Sequence, residues 1–201
     1  MGKGWDYQPG ANRTTPLYDL IARKLPALDS PLGAAMMAAL KPSLDAEMKA
    51  AYQNWVDDVL ADPVKRGRTQ IAGSLTPDIL AWLKAQKSIV PATTEIAVQD
   101  GLIVGQKAKR HAVAGDALTD AEWRKLPDML ESPSQLLFDT RSGKLLYLYP
   151  AGGTDAAKIA VEFDYLQKRG KGTVNHVVSA FKVEQAALNA GIKGGHYEII
   201  Q

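Results

Sequence analysis

The sequence predicts an α+β fold: an N-terminal helical segment, then helices packed on an antiparallel sheet of about four strands. Three observations predict it. The first 92 residues are rich in alanine and leucine and are punctuated by Ser-Pro and Thr-Pro steps, which open helices. From about residue 93 the pattern changes to runs of alternating apolar and polar residues broken by short glycine-containing turns. The helical signals come first and the strand signals follow. The chain therefore divides into a helical region, 1–92, and an α+β region, 93–201.

Each element has its own signal. "TPLYDLIARKL" opens with Thr15 as N-cap and Pro16 in the first turn, and Leu17, Leu20, Ile21 and Leu25 form its stripe. "SPLGAAMMAAL" repeats the Ser-Pro start at Ser30 and Pro31. "SLDAEMKAAYQNWVDDVLAD" reads as a further helix, with Leu44, Met48, Tyr52, Trp55, Val56 and Val59 on one face. "LTPDILAWLKAQK" offers Thr76 as cap and Pro77 as first residue. Beyond residue 93, "EIAVQDGLIVG" sets Asp100-Gly101 between two apolar runs, a hairpin signal. "GQKAKRHAVA" reads as a helix, and "LTDAEWRKLPDMLES" as another, with Thr119 and Glu122 forming a capping box. "QLLFDTRSGKLLYLYP" gives two strands around Arg141-Ser142-Gly143. "AKIAVEFDYLQKRGKGTVNHVVSAFKV" gives a long hairpin around "KRGKG". "EQAALNAG" is a short helix ending at Gly191, and "HYEII" a closing strand.

Composition narrows the function. With 201 residues, 46% hydrophobic and 23% charged, the chain is an ordinary soluble globular protein. Its net charge of +2, carried by residues 1–92, leaves the α+β region neutral, so any nucleic-acid contact there must be local. The absence of cysteine excludes disulfides, thiolate metal sites and cysteine nucleophiles. No apolar run approaches the roughly twenty residues that span a bilayer, and the start lacks the core of a signal peptide. Neither a P-loop, a zinc-ligand spacing nor a G-x-S-x-G elbow is present. No cofactor or metal is implied.

All three histidines, His111, His176 and His196, lie in the second region. Two imidazoles and a cation suffice to transfer an RNA phosphodiester, since the nucleophile belongs to the substrate. His111 closes the run "KAKRH", and on a helix Lys107 stands one turn before it, on the same face. Lys107, Arg110 and His111 are thus candidates for phosphate chemistry. The alternative is a solvated helix end whose cations answer the helix dipole. Strict alternation puts His176 on one strand face with Val174, Val178, Ala180 and Lys182, and Ser179 on the other with Asn175, Val177 and Phe181. His176 is either catalytic or a half-buried sheet residue. Ser179 is either a phosphate donor or a cross-strand neighbour. His196, after Gly194-Gly195, is either part of a site or a strand-start surface residue.

The opening "GKGWDYQPG" resembles a "GWDYNPG"-like segment of Mu-like phage head-morphogenesis proteins, with Gln8 in place of Asn. Residues 93–201 look like the phage-associated nuclease domains of the barnase–EndoU–colicin–RelE group. That likeness rests on "KAKRH", "LTDAEWRKLPDMLESPSQLLFD", "AKIAVEFDY" and "VVSAFKV". The resemblance implies a metal-independent endoribonuclease attached to a minor head protein. It would meet RNA, capsid or portal proteins and an inhibitor protein, in the virion or the host cytoplasm. The family's helix histidine maps onto His111, its strand serine onto Ser179, and its cation onto Lys107 or Arg110. A catalytically silent interaction module of the phage head is the other reading. A start at this motif fits the tail of a longer head protein.

Overall fold

The computed structural model describes residues 31–166 and 173–200. The expected helix over Thr15–Leu25, the "GWDYQPG" segment and the "KRGKG" turn lie outside them. The first described element, α1 (Pro31–Ala61), runs through Pro42, where the sequence suggested a break. Ala38, whose carbonyl the Pro42 ring leaves without a donor, is exposed, so that carbonyl meets water rather than core. The expected stripe of α1 buries Leu44, Tyr52, Val56 and Val59.

The remaining elements are β1 (Thr69–Ser74), α2 (Pro77–Trp82) with a π-helical turn at Leu83–Lys87, β2 (Glu95–Gln99), α3 (Gly101–Val104), α4 (Gln106–Ala114), α5 (Asp120–Arg124), α6 (Leu126–Glu131), β3 (Gln135–Asp139), β4 (Lys144–Pro150), β5 (Asp155–Leu166), β6 (Thr173–Glu184), α7 (Gln185–Lys193) and β7 (Tyr197–Ile199). The local signals at several of them hold. Thr76 Oγ1 accepts the Ile79 N–H at 3.4 Å. Thr119 accepts the Glu122 N–H at 3.2 Å while Glu122 accepts the Thr119 N–H at 2.6 Å, completing the box. Asp139 accepts from the Arg141 and Ser142 N–H groups and shapes the β3–β4 turn.

The fold is α+β, but among the described residues its sheet has seven strands rather than about four and is mixed rather than antiparallel, in the order β1-β2-β6-β5-β4-β3-β7. β1 comes from the stretch read as helical and pairs antiparallel with β2; β2 runs parallel to β6 through Ile96↔Asn175 and Ala97↔His176. The Asp100-Gly101 hairpin is absent: Asp100 follows β2 as the N-cap residue of α3, and Gly101 opens α3. The carboxylate explains why. Asp100 is fully buried and accepts the N–H groups of Arg66, Gly67 and Arg68 at 2.8, 3.1 and 3.0 Å. It therefore anchors the loop before β1 instead of turning a hairpin. Gly191 is likewise not the end of its helix. α7 continues to Lys193, and Gly191 is there because any Cβ would stand 2.4 Å from the Tyr197 ring.

The two faces of the sheet are covered unequally. One carries Ile96, Val98, Leu145, Tyr147, Ala157, Ile159, Val161 and Val177 under α1, α2, α5 and α6. On the other, Leu137, Leu146, Leu148, Ala156 and Ala160 pack beneath Leu188 of α7. Two irregularities bend the β5–β6 ladder, one between Ala160 and Val161 and one between Glu162 and Tyr165. At the second, Asp164 has a φ of +49° and its carboxylate accepts the Ala92 N–H at 2.7 Å.

Candidate functional site

The first irregularity decides what shares a surface. Ala160 pairs with Ser179, Val161 with Val177 and Glu162 with His176, so Val178 is an extra residue on β6. Ala160 and Glu162 are two apart on β5 and share a face, so their partners Ser179 and His176 share it as well. Strict alternation had separated them; the bulge reunites them.

α4 completes the arrangement. Gly115, at φ +79°, closes this helix in the left-handed conformation. Lys107 and His111, one turn apart, both reach β6. Lys107 Nζ donates to the carbonyl of Val178 at 2.8 Å, supplying a donor to the bulged residue. The His111 ring stacks on Phe181 at 4.7 Å between centroids and 12° between planes. Its Nδ1 lies 2.8 Å from Asp116 Oδ1. With Nδ1–H donating to that carboxylate, Nε2 is left as the acceptor. Asp116 is itself fixed: its N–H donates to the His111 carbonyl at 3.1 Å and its own carbonyl accepts the Lys182 N–H at 2.7 Å.

Around Ser179 the same sheet face sets polar side chains at the border of the apolar cluster that includes Ala160 and Leu146. Lys158, opposite Phe181, places Nζ 4.4 Å from that ring's centroid. Lys144 lies 3.3 Å from Glu162, which stands opposite His176. The Lys107 pKa is pushed down by burial and then by the neighbouring charges of Arg110 and Lys144. Burial also lowers that of Lys158, against the pull of Asp139. Burial depresses the His176 pKa despite the Val177 carbonyl, 2.8 Å from Nδ1, and the Glu162 charge. His176 is 6% exposed and lies against Tyr165, with ring centroids 4.9 Å apart.

His111, Lys107, Ser179 and His176 therefore meet on or beside one strand. Arg110 is exposed on α4, close enough to depress the Lys107 pKa. His196 belongs elsewhere, with Nε2 2.6 Å from Arg141 Nη2 near the β3–β4 turn. Sequence reading did not single out Asp116, Lys144 or Lys158. Asp116 follows the helix-closing Gly115 and gave no periodic signal. Lys144 and Lys158 sit at strand positions where a lysine commonly marks solvent. On the other side of His111 is an apolar pocket of about 420 Å³, walled by Leu60, Leu102, Val104, Leu118 and Trp123. Among the described residues, no group of three or more His, Asp or Glu side chains is placed to hold a metal ion. No described helix is long and apolar enough to cross a membrane.

No family model matches the chain, and neither does any solved structure. Two curated proteins are similar to it throughout. The "Putative capsid assembly protein F" of Escherichia phage Mu is 21% identical over 198 residues, which are 98% of this chain and 43% of that protein. The "Mu-like prophage FluMu F protein" of Haemophilus influenzae is 23% identical over 210 residues, covering 100% of this chain and 48% of its own length. The chain thus spans a little under half the length of these relatives.

Proposed function

We propose that this chain serves in phage head assembly and carries, where α4 meets the sheet, a metal-independent site for RNA phosphodiester transfer. The head-assembly role is supported by the end-to-end similarity to two Mu-like F proteins, one named for capsid assembly. It places the protein in the virion or the host cytoplasm, with capsid or portal proteins as partners. The chemical role is supported by one arrangement above all. The His111 imidazole, oriented through Nδ1 by Asp116, lies on the strand that carries Ser179 and receives Lys107.

In this reading His111 Nε2 takes the proton of a 2′-hydroxyl, and the 2′-oxygen attacks the adjacent phosphorus. Lys107, Arg110 and the Ser179 hydroxyl stabilise the anionic phosphorane. The 5′-oxygen leaves with a proton given up by the His176 imidazolium, while His111 keeps the proton of the 2′-hydroxyl, giving a 2′,3′-cyclic phosphate and a free 5′-hydroxyl. His176 is the other imidazole on this face. Burial keeps it neutral, so it donates a proton only once an anion beside it favours the imidazolium. Incubating the purified protein with labelled RNA, with and without EDTA, tests the proposal. Cleavage should survive the chelator and fall at least about a hundredfold in His111→Ala. Equal cleavage by the variant removes His111 from the mechanism, and loss in EDTA points to a metal nuclease.

The apolar pocket favours a second reading, in which the chain is a silent module that binds head proteins. On that reading Leu102→Asp abolishes co-sedimentation with assembled heads, and RNA remains intact throughout.

A further inference from the structure

We propose that the sheet face around Ser179 binds a phosphate group, gripped by Lys107 from α4, Lys144 from β4 and Lys158 from β5. The inference deepens the ribonuclease reading and rests on it only in taking the phosphate to be an RNA phosphodiester; anion binding itself requires no cleavage.

The register supplies the geometry. Ala160 and Ser179 face each other as two short side chains. Lys158 and Phe181 form the next pair on one side, and Glu162 and His176 the next on the other. Long cationic side chains thus stand around the short Ala160–Ser179 pair, which Leu146 of β4 flanks on the far side. Lys107 reaches this pair at the bulge, where its ammonium lies on the Val178 carbonyl beside Ser179. That bond uses one of its three N–H donors. Lys158 rests its ammonium on the Phe181 ring, 4.4 Å from the centroid.

Charge points the same way. Burial first, and then the charges of Arg110 and Lys144, lower the pKa of Lys107. Countercharge is partial: Glu162 pairs with Lys144, and Asp139 acts on Lys158 from β3. Gathering ammonium groups on a half-buried face costs free energy in the unliganded protein. A bound anion removes that cost and accepts a charge-assisted hydrogen bond from each of them, with the Ser179 hydroxyl as a neutral donor. A tetrahedral oxyanion has acceptors enough for all four.

The test titrates the full chain with inorganic phosphate, against chloride at matched ionic strength, and follows backbone amide NMR shifts. A thymidine hexanucleotide forms the second arm; it carries phosphodiesters but no 2′-hydroxyl and cannot be cleaved by this route. We expect shifts centred on residues 158–162 and 177–181 in both arms, with phosphate competing against the oligonucleotide. The Lys144→Met/Lys158→Met double variant should bind at least about tenfold more weakly, and Lys193→Met, at an exposed position at the end of α7, should bind normally. Binding of phosphate but not of the oligonucleotide would identify the free ion as the ligand and overturn the RNA assignment. Shifts no larger than with chloride, or centred elsewhere in the wild-type protein, overturn the site whether or not the variants fold. Phosphate binding without RNA cleavage keeps this site and removes the ribonuclease reading. Cleavage unaffected by the double variant does the reverse.

Discussion

The two faces of the sheet solve different problems. Beneath α1, α2, α5 and α6 the strands present Ile96, Val98, Tyr147, Ile159, Val161 and Val177, each 0% exposed. On the opposite face the same strands present Lys144, Lys158, Glu162, Ser179 and Phe181, all only half-buried. Adjacent residues of one strand thus differ completely in environment: Ile159 is sealed in the core, while Lys158 lies over Phe181. The first face is built for cohesion. The second is divided: Leu137, Leu146 and Leu148 pack beneath Leu188, and beside that cluster stand the charged residues of the candidate site.

The contrast is sharpest in a pair of neighbouring substitutions. Ile159→Ala should cost about 2–5 kcal/mol in chemical denaturation, the usual range for emptying a closed core position. Lys158→Ala should cost less than about 1 kcal/mol, since it removes one partly solvated cation–π contact. Similar losses for the two would break the comparison. Gly191→Ala is the exception expected on the second face. Its new methyl meets the Tyr197 ring at 2.4 Å, so either α7 or β7 must shift, at about 1–3 kcal/mol. A melting temperature equal to wild type would show that α7 is looser than its packing implies. Thr119→Ala removes the capping hydroxyl of α5 and should cost about 1 kcal/mol.

The smallest effect is one of pH. Burial holds the folded-state pKa of His176 below its free value of 6.5. Above pH 6.5 both folded and unfolded chains are neutral there, and the group contributes no pH dependence. Below it the unfolded chain gains a proton first, so stability declines until the pH reaches the folded pKa, then levels off. Glu122 and Asp139 have lowered pKa values, so their losses fall in a separate window, beginning near the free values of 4.5 and 3.8. His176→Gln should flatten the decline just below pH 6.5 and leave the acid limb in place, as measured by melting temperature against pH.

Local chemistry was readable in the sequence; long-range pairing was not. Thr76 and Thr119 announce their helices because a cap involves only residues three apart. The β3–β4 turn is readable because Asp139 and Gly143 lie within one short loop. The helical face joining Lys107 to His111 is likewise set by a four-residue spacing. The parallel contact of Ile96 with Asn175 has no local signature, and so the sequence reads β2 as one arm of a hairpin rather than as the neighbour of β6, and β1 as helical. Asp100 misled because a buried carboxylate anchoring a distant loop has the same neighbours in sequence as one that turns a hairpin. The bulge at Val178 mattered most for the site. One extra residue reverses which side chains accompany Ser179, and alternation cannot foresee it.

The narrow parallel seam between β2 and β6 also has a consequence for how the molecule is made. The first two strands emerge from the ribosome long before the partner that will flank them. Until β6 is synthesised, β2 has only β1 to pair with, and helices must shelter Ile96 and Val98. Sequence-distant pairing of this kind is slow to nucleate, so the final sheet should assemble late and cooperatively, after nearly the whole chain is available.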